Sequence, residues 1–202
     1  MKILIVGPSW VGDAVMAQSL YKIIKNLNPE SKVDVLSPEW ASGVLKRMDQ
    51  INNLIISPFN HGDLKIKARV SFGKSLRGKA YDQAIILTNS LKSSFIPFAA
   101  NIPRRTGWLG EMRYGLINDI RKVNKVHDRL MIEKFSCLSP EPAREDSYEI
   151  PWPSLSVDPL NLSKLLKKYG FDKPSKSIAI CPGAEFGPSK RWPTKYYAEV
   201  VK

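Results

Sequence analysis

An α/β fold built on a parallel sheet, with helices on both faces, is what this sequence predicts. Three observations carry that expectation. Short apolar, β-branched runs alternate with segments of helical spacing from the N-terminus to about residue 100. A glycine-containing turn, Gly7–Asp13 (GPSWVGD), joins the first of these runs to the first helical segment. The same order of strand, glycine loop and helix returns around Pro182–Pro193 (PGAEFGPSKRWP), as the start of a second βα unit.

Lys2–Val6 (KILIV) suits a buried parallel strand. Ala14, Ala17, Leu20, Ile23, Ile24 and Leu27 recur at helical spacing and predict a helix over Ala14–Leu27. Val33–Leu36 (VDVL) reads as a second strand, Pro38–Met48 as a helix and Asn53–Ser57 (NLIIS) as a third strand. Phe59–Asp63 (FNHGD) is a loop by composition, and Lys65, Lys67 and Arg69 make the segment after it basic. Asp82–Leu87 (DQAIIL) is a further buried strand, and Leu91–Ala100 (LKSSFIPFAA) a helix despite Pro97. Right-handed crossovers put the loops after Val6, Leu36, Ser57 and Leu87 on one edge of the sheet. Open α/β sheets bind their ligands at that carboxyl edge.

Two of those loops, Pro8–Gly12 and Thr88–Lys92 (TNSLK), carry polar residues suited to ligand contact. Close behind, Ile102–Asp119 packs Arg104, Arg105 and Arg113 among Trp108 and Tyr114. Arginine offers a planar fork for phosphate or carboxylate, and the aromatics a platform for a sugar or base. The alternative is that Arg105 or Arg113 pairs with Glu111 or Asp119. From Leu138 to Asp158 the prolines 140, 142, 151 and 153 and the acidic patch Glu141–Glu149 show no period. That stretch reads as a linker over 139–158, between a first domain (1–138) and a second that starts at 159. A helix over Asp158–Tyr169 ends at Gly170. Ser177–Cys181 (SIAIC) is expected as a buried strand, and a further helix begins at Thr194, whose hydroxyl can cap it. One strand, one loop and a helix reaching Lys202 bury no core, so the second domain is expected to be cut short.

The hydrophobic share of 43% and charged share of 25% over 202 residues are those of a globular protein. No apolar run approaches the ~18 residues of a membrane span, and the five apolar residues after Met1-Lys2 do not make a signal peptide. The cytoplasm is therefore the expected compartment. Cys137 and Cys181 stand apart without metal-ligand spacing, and so do His61 and His127, which argues for reduced thiols and against a zinc site. The net charge of +12 is uneven: Lys46–Lys125 holds fifteen Lys and Arg against five Asp and Glu. Such a surface suits a nucleic acid, a phosphorylated substrate or an anionic membrane face.

Gly7 and Gly12 have the spacing of a phosphate loop, but Asp13 and Ala14 stand where a Walker loop needs Lys and Ser or Thr. A negative charge at that place excludes the reading. The dinucleotide fingerprint is absent too, because position 9 is Ser. Two roles fit Asp13: a catalytic carboxylate held by the turn, or a helix N-cap stabilised by the dipole. In the second loop the charges are positive. Gly183, Gly187, Lys190 and Arg191 between a strand and a helix suit a diphosphate.

GPSWVGDAVMAQSL, NSLKSSFIPFAANIPRRTGWLGEMRYGLIND and PGAEFGPSKRWP, in this order, resemble the bacterial ADP-heptose:lipopolysaccharide heptosyltransferases of glycosyltransferase family 9, and among them the heptosyltransferase II group. The resemblance covers nearly the whole chain. It implies a GT-B enzyme of two Rossmann-like domains, the first receiving a lipid-linked acceptor and the second the nucleotide sugar. The implied reaction moves L-glycero-D-manno-heptose from ADP-heptose to the first heptose of the inner core (heptosyl-Kdo2-lipid A), with inversion and with no metal or other cofactor.

Asp13 matches the family's catalytic aspartate, which implies a general base within reach of the acceptor hydroxyl, kept ionised by the helix dipole. Lys190, with the amides around Gly183 and Ala184, matches the site that stabilises the departing ADP. Ser9, Gly12, Asn89, Ser90, Lys92, Arg104, Arg105 and Arg113 lie in matching motifs and are assigned to the acceptor. Family members continue well past position 202, so the chain is expected not to turn over ADP-heptose by itself.

The basic segment fits a monomer peripheral to the cytoplasmic face of the inner membrane. Alternatives are heptosyltransferase I or III and a non-catalytic acceptor-binding fragment. A nucleic-acid module is disfavoured, since the common RNA-fold patterning and a basic recognition helix are missing.

Overall fold

In strands that are buried on both faces, successive side chains point to opposite layers. Lys2–Val6 does this as β1 of the computed structural model: Ile3 and Ile5 enter one core layer and Leu4 the other. The structure describes residues 1–60, 62–122, 130–141, 149–171, 178–184 and 187–202. His61, Lys125, His127, Ser177 and residues 142–148 of the acidic stretch lie outside these.

Six strands are placed among the described residues: β1, β2 (Lys32–Ser37), β3 (Asn53–Ile56), β4 (Gln83–Ile86), β5 (Arg104–Trp108) and β6 (Asp119–Arg121). They form one sheet in the order β3-β2-β1-β4-β5-β6, with every neighbouring pair parallel. This is the Rossmann order, in which the chain first builds outward from β1 through β2 and β3 and then restarts at β4 on its other side. Val6 is in register with Leu36 on one side and Ile86 on the other, so the crevice opens at the end of β1.

One sheet face is covered by α1 (Val11–Met16), α2 (Gln18–Leu27), α3 (Ser42–Leu45) and α6 (Met131–Ser136). Ala14, Leu20, Ile24, Leu45 and Phe135 pack there on Ile3, Ile5, Val35 and Ile85. The other face is covered by α4 (Ile66–Ser75) and α5 (Leu91–Ala99), where Leu76, Ile96 and Ile102 meet Leu4, Leu36 and Ala84. Gly73 on α4 passes so close to α5 that a Cβ there would stand 2.5 Å from the Ile96 carbonyl oxygen.

Several elements depart from expectation. The helix predicted over Ala14–Leu27 starts at Val11 and divides at Ala17 into α1 and α2. The helix expected through Met48 is a 3₁₀ turn, Glu39–Ala41, followed by the single turn of α3. The basic segment becomes α4, and the arginine-rich stretch contributes β5 and β6.

The chain divides into two compact units, Met1–Val157 and Asp158–Lys202. Part of the stretch read as a linker is docked on the first unit. The Gln18 amide donates to the Ser154 carbonyl at 2.7 Å, Lys22 donates to the Trp152 carbonyl at 2.6 Å, and the Ser156 N–H donates to the Arg47 carbonyl at 2.9 Å.

In the second unit, α7 (Pro159–Lys168) is capped by the Asp158 carboxylate, which accepts from the Leu160 and Asn161 N–H groups at 3.0 and 3.1 Å. It closes as expected on Gly170, which takes φ 72° while the Phe171 N–H donates to the Leu166 carbonyl at 2.8 Å. Two expectations fail here. Residues 178–181 form no strand, because none is placed beside them among the described residues of the unit, and Ile178 is 90% exposed. Thr194 is the first residue of α8 (Thr194–Val201), preceded by Pro193, and its hydroxyl does not cap the helix.

Candidate active site

The carboxyl ends of the strands enclose a cleft of about 610 Å³, lined from β1 outward by Ser9, Asp13, Ser37, Asn60, Arg69, Asn89 and Lys92 among others. It lies on the edge that the crossover rule selects. Gly7 explains how β1 leaves the sheet. Its N–H donates to the Leu36 carbonyl at 2.8 Å, and a Cβ would stand 3.1 Å from that oxygen. The glycine therefore serves close passage against β2 rather than a phosphate. Trp40 fixes the loop by donating its indole N–H to the Ser9 carbonyl at 2.8 Å.

α1 begins at Val11, and the extended backbone of Trp10 occupies the N-cap with no side-chain cap bond. Asp13 is thus the third residue of the helix and not its cap, which corrects the capping reading. Its half-buried carboxylate lines the cleft and makes no hydrogen bond or ion pair among the described residues. Burial raises its pKa above the ordinary carboxylate value. A carboxylate with raised proton affinity is a better acceptor for a hydroxyl proton.

Across the cleft, Asn89 and Ser90 lead into α5. The Glu111 carboxylate accepts from the Leu91 N–H at 2.6 Å and so covers the open start of that helix. Lys92 in its first turn and Lys134 on α6 both line the cleft, and neither ammonium makes a hydrogen bond or ion pair among the described residues.

The three arginines assigned to the acceptor are used differently. Arg113 is fully buried. Its guanidinium donates to the Thr88 carbonyl at 2.7 Å, to the Trp108 carbonyl, and to Asn89 Oδ1 at 3.3 Å. Arg105 donates to the carbonyls of Ile102 and Leu116 at 2.6 and 2.7 Å. Arg104 pairs with Asp119 at 2.9 Å and donates to the Pro140 carbonyl at 3.0 Å. The guanidinium groups thus satisfy carbonyls at the ends of β4 and β5 (Thr88, Ile102 and Trp108) and in the irregular path that follows (Leu116). None of the three arginines lines the cleft, and neither does the exposed Gly12. An arginine–Asp119 pair does form, but from Arg104 and Arg121 rather than from Arg105 or Arg113.

Gly183, Ala184 and Lys190 belong to the second unit. There the Arg191 Nε–H donates to the Ala184 carbonyl at 3.2 Å, and Lys190 is exposed at the end of a 3₁₀ turn, Pro188–Lys190.

Sequence reading missed Arg69, Trp40 and Lys134. The basic cluster Lys65–Arg69 was the trace of the first. Among the described residues no group of three His, Cys, Asp or Glu side chains is placed to hold a metal ion, and no helix is long and apolar enough to cross a membrane.

The profile of glycosyltransferase family 9 (heptosyltransferase) matches residues 69–202. Lipopolysaccharide heptosyltransferase 2 of Salmonella typhimurium is 46% identical over 207 residues, covering 100% of this chain and 60% of that protein. The solved structure of E. coli ADP-heptose LPS heptosyltransferase II superposes with a TM-score of 0.88 at 41% identity, again over 100% of this chain and 60% of its own length. A family 9 glycosyl transferase from Veillonella parvula, 15% identical, shares the fold with a TM-score of 0.77 over 98% of this chain and 58% of its own. The chain thus spans 60% of the length of the curated relatives it matches. On the family profile and on a Rossmann sheet whose crevice holds an unpaired carboxylate, the chain belongs to glycosyltransferase family 9, the heptosyltransferases.

Proposed function

We propose that this chain carries the acceptor side of an inverting heptosyltransferase that moves L-glycero-D-manno-heptose from ADP-heptose to the first heptose of the lipopolysaccharide inner core. The observation that carries the reading is Asp13: a carboxylate at the switch point of the sheet, unpaired among the described residues, with its proton affinity raised by burial. In a single displacement the acceptor oxygen bonds to the anomeric carbon as the bond to ADP breaks, and Asp13 takes the hydroxyl proton. Inversion follows from attack opposite the leaving group. Ser9, Asn89, Ser90 and Lys92 position the acceptor, while Lys190 and the amides near Gly183 and Ala184 receive the charge developing on the diphosphate.

The test is a protein carrying this sequence at the full length of its relatives, incubated with ADP-heptose and heptosyl-Kdo2-lipid A, with ADP release and product mass as readouts. Asp13→Asn is expected to lower transfer by about 10²–10⁴-fold while acceptor binding persists. Wild-type rates in that variant would refute the role of Asp13. The excess of basic residues also suits an anionic bilayer. Flotation with anionic but not neutral liposomes is the expected result, and equal recovery with both would exclude electrostatic attachment.

A further inference from the structure

Trp40 is half exposed on the wall of the cleft, and yet it is held in place. It sits on the 3₁₀ turn Glu39–Ala41, whose last residue, Ala41, is buried in the same core layer as Ala14 and Leu20. Pro38, in extended conformation, leads the chain from β2 into the turn, and the Ala41 N–H donates to the Pro38 carbonyl at 3.2 Å. With Ala41 turned inward, Trp40 is left 51% exposed and lines the cleft. Its indole N–H is already engaged by the Ser9 carbonyl at 2.8 Å. An indole carries no other hydrogen-bonding group, so what this one offers a ligand is apolar ring surface. A lone exposed apolar side chain is ordinary on a protein surface. An aromatic side chain fixed on a concave wall, with polar groups around it, has the composition of a ligand site.

The polar groups are present. Ser9, Asn60 and Asn89 line the same cleft. A pyranose has the matching two-sided character: a face of weakly positive C–H groups that suits the negative face of an aromatic ring, and a rim of hydroxyls that needs donors and acceptors. The aromatics that sequence patterning offered as a platform do not serve. Trp108 is 6% exposed and packs in the core, and Tyr114 is exposed but does not line the cleft. The bond to Ser9 also ties Trp40 to the base. Ser9 belongs to the loop that leads into α1, and Asp13 is the third residue of that helix. A sugar lying on Trp40 is therefore registered against the segment that carries the carboxylate.

We propose that the exposed face of Trp40 is the stacking platform for a pyranose ring of the acceptor, and so a specificity-determining residue that sets which face of the sugar turns toward Asp13. The inference rests on the acceptor reading of this cleft given above. A stacking contact is independent of charge, so salt leaves it in place.

The test is fluorine NMR of the chain labelled with fluorotryptophan, titrated with heptosyl-Kdo2-lipid A freed of its acyl chains, with thermal shift in parallel. Trp40→Phe assigns the Trp40 resonance by its loss. That resonance is expected to move with the saccharide at low salt and at about 0.5 M salt alike. Trp40→Leu is expected to bind the saccharide about tenfold more weakly, and Trp40→Phe, which keeps a smaller aromatic face without the N–H, about threefold. A Trp40 resonance that stays in place while the melting point reports binding overturns the proposal. So does wild-type affinity in Trp40→Leu. An equal loss in both variants overturns it too, because it would trace the effect to the bond with Ser9 rather than to the ring. Should Trp40→Leu fail to fold, the resonance of the wild-type chain decides alone. A saccharide that binds by neither readout overturns the proposal together with the acceptor reading. Trp40-dependent binding in a protein that transfers no heptose would leave the platform standing and the functional reading refuted.

Discussion

Replacing Arg113 by methionine removes a guanidinium that sequence patterning assigned to ligand and the structure gives to the fold. Its two strongest bonds go to the carbonyls of Thr88, at 2.7 Å, and Trp108. They tie the end of β4 to the loop in which Glu111 and Met112 take φ of 46° and 52°, a left-handed conformation that costs non-glycine residues of order 1–3 kcal/mol each. Methionine fills much of the volume but leaves both carbonyls unmatched. A hydrogen bond to a charged group is worth about 1.5–3 kcal/mol, so the gross loss is about 3–6 kcal/mol. Some of this is returned because the variant no longer buries a charge, whose desolvation depresses the pKa of Arg113. The net cost is about 2–4 kcal/mol, which lowers Tm by roughly 4–16 °C for a protein of this size. Thermal unfolding followed by circular dichroism reads the shift. Arg113→Lys is expected to recover little, since one ammonium on a flexible stem does not reproduce the fork. A variant that melts with wild type but binds acceptor weakly would refute the reasoning and return Arg113 to the ligand.

Because burial raises the pKa of Asp13, transfer is expected to fall on acidification with an inflection above the ordinary carboxylate range, and a profile flat down to pH ~4 would contradict a base at this position. The native carboxyl holds its proton more tightly than the unfolded one, so its ionisation subtracts stability as pH rises through the two values. Asp13→Asn should melt slightly above wild type at neutral pH, and the two should converge below about pH 3.5. Asp119 is the opposite case. Burial pushes its pKa up, but hydrogen bonds from Arg121, Thr106 and Arg104 outweigh that and hold it below the usual value. Asp119→Ala should cost about 2 kcal/mol at neutral pH, a difference that shrinks as acid protonates the wild-type carboxylate. Gly73→Ala should destabilise by about 2 kcal/mol, despite the better helix propensity of alanine, because the added methyl meets the Ile96 carbonyl oxygen and Ala99 Cβ at 2.5 and 2.8 Å. An unchanged melting point would show that α4 and α5 slide apart freely.

The strands β1 to β4 were legible because each contains a short apolar run, buried on both sides in β1, β2 and β4 and half-exposed in the edge strand β3, and the topology rules then place the cleft without further information. β5 was not, since RRTGW reads as charged. Arg104 and Arg105 reach out of the sheet to carbonyls and a carboxylate, while Gly107 lets Ile117 pack within 3.0 Å of where its Cβ would be. The place of Asp13 was readable but its part in the helix was not, because α1 begins at Val11, three residues earlier than periodicity suggests. Arg69 left no more than the basic cluster Lys65–Arg69 as its trace: whether an arginine is buried depends on what packs around it, here Phe59 and two carbonyls of the preceding loop. SIAIC has the composition of a strand, but composition supplies no neighbour to pair with.

The missing side chain at Gly73 sets a dimension of the site from behind. α4 carries Arg69 and α5 carries Lys92, so the spacing of the two charged walls is fixed where the helices cross, one turn beyond Arg69, at a residue that does not line the cleft. Position 73 behaves as a spacer whose thickness is a single methyl group. A wider cleft can therefore be reached by a bulkier residue there, which pushes the Ile96 backbone and with it α5 away from α4, with every polar group that lines the cleft left as it is.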